Sequence, residues 1–256
     1  MIDARAVVSP EAELAADVEV GPFAIIGPNV KIGARTKVAA HAFIAGHTTI
    51  GANNVVFQFT SIGDAPQDLK YSGEPTRLEI GDHNVFREFC TVNRGTVHDQ
   101  GVTRVGSHNL FMNNTHVAHD CQIGDHVVMV NSATLGGHVK LGDWVIMGGF
   151  SGAHQFTQIG AHAFIANNCA VTRDVPPFVL AHGQPAVPHS VNSKGLERRG
   201  FTSGQIRNIR EAYRVLYRSD LLLVDAVKQL TERAATQPEL RLFVDFIAES
   251  RRSLIR

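Results

Sequence analysis

The chain has 256 residues, and its 24 lysine and arginine residues balance 24 aspartate and glutamate residues. This neutral balance argues against a nucleic-acid partner, and no apolar run approaches the roughly 18 residues that a membrane-spanning helix needs. The N-terminus carries no basic and apolar leader, and the three cysteines form no CxxC pair. We therefore expect a cytoplasmic protein without membrane insertion.

A six-residue repeat dominates most of the sequence. An apolar side chain recurs every six positions from Val8 to Ile62, again from Ile80, and then from Val105 to Val171. If this recurring residue is taken as the first place of each hexad, the fifth place holds mostly small or β-branched side chains. All three cysteines occupy a fifth place. A six-residue period fits a short strand plus a turn, and three hexads close one triangular coil. The repeat therefore predicts an all-β solenoid, a parallel β-helix.

Two segments interrupt the repeat. Residues 64–79 and residues 94–104 break the hexad register and are too long for a coil corner. Connections of this kind project from a rigid scaffold and often carry function. We predict that the β-helix covers residues 1–190 and that these two loops project from it.

The last part of the chain shows helical spacing of its apolar residues. Thr202 and Gln205 form the pattern of a capping box, which predicts a helix from that point. Thr236 and Glu239 repeat the pattern before the final apolar stretch. We expect residues 191–256 to form a small α-helical C-terminal domain, with Thr236 as the N-cap of its last helix.

The histidines fall into two sets by their place in the coil. The first set occupies the fourth place of its hexads and should stack on one corner as structural turn residues: His83, His108, His126 and His162, with Trp144 in the same column. The second set has separations close to one coil and should form a row off that corner: His116, His119, His138 and His154. A row of imidazoles is not needed for folding, so it indicates a functional site.

This second set could serve metal binding or proton transfer. Zinc requires three ligands converging at about 2.1 Å, and β-helical carbonic anhydrases use a histidine pair with a different spacing from that of His116 and His119. A general base needs only one histidine that titrates near neutral pH. The pattern favours proton chemistry, and we expect no metal.

Six segments spread along the chain carry more specific motifs: QDLKYSGEPTRLEIGD, HVAHDCQIGDH, LGGHVKLGDW, GAHQFTQIGAH, RDVPPFVLAHG and GLERRGF. Together they resemble the bacterial UDP-N-acetylglucosamine O-acyltransferase family over essentially the whole chain. The resemblance implies a left-handed β-helix and a homotrimer with one active site in each cleft between subunits. It also implies transfer of a 3-hydroxyacyl group from acyl carrier protein to the glucosamine 3-hydroxyl of UDP-N-acetylglucosamine, the first step of lipid A synthesis, without a further cofactor.

The resemblance also assigns catalytic roles. It makes His119 the general base, Asp120 the residue that orients or charge-stabilises it, and the backbone N–H of Gly137 the donor to the oxyanion. Adjacent residues in a regular strand point to opposite faces, so a contact between His119 and Asp120 requires a local bend of the chain.

The remaining site residues follow from the same resemblance. Sugar, nucleotide and acyl group would be bound by Gln67, Asp68, Lys70, His116, His138, His154, Gln155, Asn192, Arg198 and Arg199. Lys194 stands where the family often has an acidic residue, which leaves open how the ribose or uracil is held. Arg207 and Arg210 belong to a basic cluster that suits the docking of acidic acyl carrier protein.

Asn167 stands where family members that accept longer chains have a small residue such as glycine. A larger polar residue at that place should shorten the acyl pocket, which predicts a preference for donors of roughly ten to twelve carbons.

Three alternatives remain open at this stage. The sister N-acyltransferase of the pathway carries an additional N-terminal domain, whereas the hexads of this chain begin at about Val8. The acceptor could also be a 3-amino UDP-sugar. The third alternative is a non-catalytic or zinc-bearing β-helix.

Overall fold

The computed structural model describes residues 1–250 and 252–256, and the hexads form short strands. Before the first interruption the strands are β1 (Val7–Val8), β2 (Glu13–Leu14), β3 (Glu19–Val20), β4 (Ile25–Ile26), β5 (Val30–Ile32), β6 (Lys37–Val38), β7 (Phe43–Ile44), β8 (His47–Ile50), β9 (Val55–Val56) and β10 (Ser61–Asp64). Between the two interruptions they are β11 (Arg77–Ile80), β12 (Val85–Phe86) and β13 (Thr91–Asn93). The next group is β14 (Val102–Val105), β15 (Leu110–Phe111), β16 (His116–Val117), β17 (Gln122–Ile123), β18 (Val128–Met129), β19 (Thr134–Leu135), β20 (Lys140–Leu141), β21 (Ile146–Met147), β22 (Gly152–Ala153), β23 (Gln158–Ile159), β24 (Phe164–Ile165) and β25 (Ala170–Val171). Two longer strands follow, β26 (Val179–His182) and β27 (Val187–Val191).

The strands form three sheets because each hexad makes one side of a triangular coil. Sheet I contains β1 and every third strand up to β25, sheet II runs from β2 to β23, and sheet III runs from β3 to β24. Strand β26 extends sheet III in parallel, and β27 then pairs with β26 in the antiparallel direction. The predicted left-handed parallel β-helix is confirmed. We name its corners I–II, II–III and III–I after the sheets that they join.

The inside of the coil is filled by the two restricted places of the hexad. First-place residues such as Ile44 and Ile62 are fully buried, and all three cysteines are buried at the fifth place. The fifth place also holds a ladder of three buried asparagines. The side-chain oxygen of Asn54 accepts the backbone N–H of Asn84 at 2.8 Å, and that of Asn84 accepts the N–H of Asn109 at 3.0 Å. Buried amide oxygens are therefore paired with the backbone of the next coil.

The turns at the corners are completed by residues with positive φ. At corner II–III the ring side chains at this place stack along the axis of the solenoid: His83, His108, His126, Trp144 and His162. The rings of His126 and Trp144 are the closest pair in this stack, with centroids 3.9 Å apart. The predicted structural column of turn histidines is confirmed.

Both loops leave the β-helix at corner I–II, on consecutive coils. The first loop (residues 65–76) joins β10 to β11, and the second loop (residues 94–101) joins β13 to β14. Both loops end before the positions expected from the sequence, because β11 and β14 pair along four residues from Arg77 and Val102 onward. The loops therefore project side by side from one edge of the solenoid.

The chain becomes helical after β27. The helices are α1 (Ser193–Arg198), α2 (Ser203–Tyr217), α3 (Leu223–Ala234), a 3-10 helix (Pro238–Leu240) and α4 (Arg241–Glu249). The predicted capping box of Thr202 and Gln205 begins α2. The predicted N-cap at Thr236 is wrong, because the chain enters α4 through the 3-10 helix and the N-cap of α4 is Leu240. No helix within the described ranges is long and apolar enough to cross a membrane.

The C-terminal segment returns to the solenoid. Asp174, which is completely buried, accepts a hydrogen bond from the Ser250 hydroxyl at 2.6 Å and forms a β-bridge with Leu254. A buried carboxylate needs such partners to offset its lost hydration. The segment is thereby fastened near the last coils, where Arg252 lies beside His154.

Candidate active site

The second set of histidines gathers at corner I–II. His119 and Asp120 form the turn after β16, Gly137 and His138 form the turn after β19, and His154 begins the turn after β22. The row lies off the corner of the structural column, as the sequence predicts, but it occupies a second corner of the coil. Its separations differ from one coil by one or two residues, so the histidines move along the turn and remain at a corner, although not the corner of the structural column.

His119 and Asp120 form the central pair of the site. Nδ1 of His119 lies 2.9 Å from Oδ2 of Asp120. The bend that this contact requires is present, because Asp120 has a φ of 60°. A carboxylate can only accept a hydrogen bond, so Nδ1 carries the hydrogen and Nε2 is left as the basic atom. The side chain of His119 is 14% exposed, so most of the imidazole is shielded from solvent.

Asp120 is held by the second loop and by β14. Its carboxylate accepts the backbone N–H of Thr96 at 2.9 Å and the Thr96 hydroxyl at 2.7 Å, and its own N–H donates to Thr103. Burial alone would raise the pKa of the Asp120 carboxyl, but the hydrogen bonds from His119 and Thr96 outweigh it and lower that pKa. Asp120 is therefore a fixed negative charge beside the imidazole. The sequence did not single out Thr96 or Thr103, since both fall in the segment 94–104 that interrupts the hexads.

Gly137 lies against the imidazole of His119. A Cβ atom at Gly137 would stand 2.6 Å from Cε1 and 2.7 Å from Nε2 of that ring, so only glycine fits without displacing it. The Gly137 N–H has no hydrogen-bond partner in the described part of the chain. A free backbone donor close to a basic nitrogen is the arrangement that an oxyanion requires.

His138 makes a second contact between an imidazole and a carboxylate. Its Nδ1 lies 2.9 Å from Oδ2 of Asp99 in the second loop, and its Nε2 lies 3.8 Å from Oδ2 of Asp120. Its ring is perpendicular to that of His119, with the centroids 5.1 Å apart. Asp99 was not predicted from the sequence, because a polar residue in an exposed loop carries no periodic signal.

His119, Asp120 and His138 are close enough together to be considered as metal ligands, since their ligand atoms lie within 4.8 Å of one another. The carboxylate of Asp120, however, already accepts hydrogen bonds from Thr96 and His119. A cation would have to displace these donors, so the hydrogen bonding supports proton transfer rather than metal binding.

His116 lies on the strand before the turn of His119 and Asp120, and His154 lies at the same corner on the coil after His138. His116 is on β16, and its Nδ1 contacts the Thr91 hydroxyl at 2.7 Å. Burial, followed by the charge of His119, lowers the pKa of His116, so this ring stays neutral near pH 7. His154 is exposed, and so is Gln155, whose carbonyl accepts a hydrogen bond from Arg252 at 2.6 Å.

The first loop carries the predicted sugar and phosphate ligands. Gln67 and Lys70 are exposed, and the carboxylate of Asp68 accepts the backbone N–H of Lys70 at 3.0 Å. The guanidinium of Arg94 fastens this loop by donating to the Tyr71 hydroxyl at 2.8 Å. The sequence did not predict the role of Arg94.

The predicted nucleotide ligands lie at another corner of the same chain. Asn192 caps α1 and donates from Nδ2 to the carbonyl of His162. Arg199 lies over the Trp144 ring at 5.1 Å and donates to Nδ1 of His162 at 3.1 Å. Burial, and then the charge of Arg199, lowers the pKa of His162 to about 4. These residues belong to corner II–III, and Arg198 is exposed nearby on α1, so one chain does not bring them to His119.

The last predicted residues are also separated from corner I–II. Arg207 and Arg210 are exposed on α2, and Arg210 donates to the Ser193 hydroxyl at 3.1 Å. Asn167 lies at corner III–I, where its side-chain oxygen accepts the N–H of Gly149 at 2.9 Å. Sheet I connects this corner to the corner of His119, so Asn167 stands at the opposite edge of the sheet.

A solenoid of hexapeptide repeats with a histidine–aspartate pair and a free backbone donor at one corner defines a hexapeptide-repeat transferase. Residues 11–46 match the family model described as bacterial transferase hexapeptide (six repeats), and residues 174–255 match domain 2 of UDP-N-acetylglucosamine O-acyltransferase. The chain is 52% identical over 255 residues to the acyl-(acyl-carrier-protein)–UDP-N-acetylglucosamine O-acyltransferase of Thiobacillus denitrificans, with 100% of this chain and 99% of the relative covered. It belongs to the UDP-N-acetylglucosamine O-acyltransferase family.

Further relatives agree over their full length. The enzyme of the same name from Herminiimonas arsenicoxydans is 51% identical over 260 residues, covering 100% of this chain and 99% of the relative. The solved UDP-N-acetylglucosamine O-acyltransferase of Moraxella catarrhalis superposes with a TM-score of 0.98 at 44% identity, covering 100% and 99% of the two chains. The solved Francisella novicida acyltransferase gives a TM-score of 0.98 at 41% identity, covering 100% and 94%. The resemblance inferred from the sequence motifs is confirmed.

Proposed function

We propose that this protein transfers a 3-hydroxyacyl group from acyl carrier protein to the glucosamine 3-hydroxyl of UDP-N-acetylglucosamine, as the first step of lipid A synthesis. The observation that carries this function is the 2.9 Å contact between His119 and Asp120, which leaves Nε2 of His119 free beside the unpaired N–H of Gly137. The names of the full-length relatives supply the substrates. The same family membership favours this enzyme over the sister N-acyltransferase.

The geometry supports a direct transfer by general acid–base catalysis. Nε2 of His119 removes the proton from the sugar hydroxyl as its oxygen attacks the thioester carbonyl. Asp120 stabilises the imidazolium that forms, as a buried carboxylate does in a catalytic triad. The Gly137 N–H donates to the oxyanion of the tetrahedral intermediate. When the intermediate collapses, the C–S bond breaks, and His119 returns its proton to the phosphopantetheine thiolate.

A homotrimer would complete the substrate site. Asn192, Arg198 and Arg199 lie at or near corner II–III of their own chain, whereas the catalytic pair lies at corner I–II. In a cleft between two subunits, corner I–II of one chain can face corner II–III or the helices of its neighbour. The nucleotide would then be bound by one subunit and the reacting sugar by the other. No cofactor is expected beyond the phosphopantetheine arm of the donor, and a carrier-protein donor implies a cytoplasmic reaction.

The proposed function is tested by incubating the protein with UDP-N-acetylglucosamine and a panel of acyl carrier proteins charged with different 3-hydroxyacyl groups. We expect the 3-O-acylated nucleotide sugar and free carrier protein, identified by mass spectrometry. A parallel reaction with the 3-amino analogue of the acceptor distinguishes the alternative acceptor. Turnover of the amino sugar alone would contradict the proposal, as would loss of activity on removal of a stoichiometric metal.

The length of the preferred acyl chain is expected to depend on Asn167. The acyl chain would lie along sheet I, and a residue at its far edge excludes longer chains sterically, since overpacking costs about 1–3 kcal/mol. By contrast, an acyl chain that is one methylene shorter loses only about 0.8 kcal/mol of binding free energy from reduced burial. We expect the native protein to prefer donors of roughly ten to twelve carbons, and Asn167→Gly to shift the preference towards longer ones.

The measurement is kcat/KM for donors of increasing length. Asn168→Gly is the matched control, because Asn168 occupies the neighbouring positive-φ place of the same turn. Asn167 would be excluded as the length-determining residue if the native protein preferred fourteen carbons and the Asn167→Gly profile were unchanged.

The basic surface of α2 is expected to bind the carrier protein. Arg210→Glu should raise the KM for the acyl donor by about three- to tenfold, because it replaces attraction to an acidic partner with repulsion. Added salt should raise the same KM for the native protein. Initial rates at low and high ionic strength measure both effects.

Lys228→Glu on α3 provides the control, since it makes the same charge change at another exposed helix position. If the native protein and Arg210→Glu had equal KM values for the acyl donor at both salt concentrations, α2 would not be part of the surface that binds the carrier protein.

A further inference from the structure

The second loop contacts both imidazole–carboxylate pairs of the site. Thr96, which is buried, holds Asp120 through its N–H and its hydroxyl. Three residues further along the loop, Oδ2 of Asp99 lies 2.9 Å from Nδ1 of His138. The loop therefore spans from one pair to the other, and the position of Thr96 limits where Asp99 can lie.

The contact with Asp99 determines how His138 presents its ring. The carboxylate can only accept, so Nδ1 of His138 carries the hydrogen and Nε2 points away from the loop. The flat face of the ring stacks on Phe156, with centroids 4.2 Å apart and planes 9° from parallel. The edge contact with His119 limits the remaining rotation. Nε2 is thereby directed to the side of the ring on which His119 and Asp120 lie.

The burial of the two partners differs. The His138 side chain is 13% exposed and the Asp99 side chain 43% exposed, so the hydrogen bond is partly screened by solvent. The Asp99 carboxylate has no other hydrogen-bond or ion-pair partner among residues 1–250 and 252–256. Within the described residues, the Asp99 carboxylate therefore contacts His138 alone.

We propose that Asp99 is a positioning residue for the acceptor: it holds the imidazole of His138 with Nε2 towards a hydroxyl of the sugar. This inference rests on the proposed function and adds to it a residue that acts on sugar binding through His138. A fixed imidazole avoids the entropy cost of ordering the ring when the sugar binds, so the contact affects acceptor affinity more than the chemical step.

The first experiment compares Asp99→Ala and Asp99→Asn with the native enzyme at varied UDP-N-acetylglucosamine. Asp99→Ala is expected to raise the acceptor KM by about tenfold while kcat changes less than about twofold, because the lost interaction is made equally in the ground and transition states. Asp99→Asn is expected to restore most of the affinity, since its amide oxygen accepts the same hydrogen bond. His98→Ala is the control, because this exposed neighbour makes no side-chain hydrogen bond within the described residues.

The second experiment is a double-mutant cycle. In a His138→Ala background, Asp99→Ala is expected to cause no further change in acceptor KM, because its effect passes through His138. The same variants are compared by calorimetric binding of UDP-N-acetylglucosamine, which requires no turnover. An undiminished effect of Asp99→Ala in the His138→Ala background would overturn the inference, as would a native-like acceptor KM for Asp99→Ala. Absence of turnover by the native enzyme would contradict the proposed function, while the calorimetric cycle would still decide the role of Asp99.

Discussion

Replacing His119 with alanine is expected to lower kcat by at least about a hundredfold, because a general base acts in the transition state. The fold should be unaffected, since the His119 imidazole is partly exposed and its recorded hydrogen bond is to the adjacent Asp120. Steady-state kinetics at saturating substrates measure the loss. Thermal unfolding of the variant checks that the solenoid is intact.

His126→Asn provides the control for this prediction. His126 also lies in a turn, but it is in the structural column at corner II–III, and asparagine tolerates its positive φ. We expect its kcat to stay close to the native value. A large loss of kcat in His126→Asn without unfolding would show that the structural column also contributes to catalysis. Native-like activity of His119→Ala would rule out His119 as the base.

Replacing Gly137 with alanine is expected to lower kcat by about a hundredfold, a loss typical of a disturbed oxyanion site or base. The new methyl group would stand 2.6 Å from Cε1 of His119, so the imidazole must move and its 2.9 Å contact with Asp120 must lengthen. The stability should change little, because the atoms that move are at the end of a side chain. Steady-state kinetics and thermal unfolding of Gly137→Ala should therefore show a large decrease in kcat together with a small change in Tm.

Gly152→Ala is the matched control one coil further along sheet I. A Cβ atom there would approach only the Thr134 side chain, at 3.4 Å, and a backbone oxygen at 4.0 Å, which are ordinary contacts. Its activity should stay near that of the native protein. Equal losses in the Gly137 and Gly152 variants would mean that glycine is needed for the coil and not for the imidazole.

The β-helix could be predicted from the sequence because its determinants are periodic. One buried aliphatic residue per hexad and one restricted residue at the fifth place are visible without a structure. The asparagine ladder shows where this rule is incomplete. Asn84 is polar but buried, because the next coil supplies a backbone N–H to its side-chain oxygen and it donates to the carbonyl of Gly106.

The candidate site was only partly accessible to sequence reasoning. His119 and Asp120 could be named from a motif, whereas their partner Thr96 and the Asp99 contact of His138 lie in a loop whose path no repeat determines. The sequence also did not show that the row containing His138 occupies a corner of its own. A separation of one residue more than a coil does not leave the turn, which spans several residues at each corner.

The position of the two loops has a consequence for how such a protein can change over time. Strand β11 pairs in register with β8 before the first loop and with β14 after the second, so neither insertion disturbs the coil stacking. Loop closure becomes only slowly less favourable as a loop lengthens, by about 0.6 kcal/mol for each doubling. The two loops at corner I–II can therefore grow, shrink or be exchanged between homologues without refitting the core. The solenoid therefore separates variation in these loops from the maintenance of the fold.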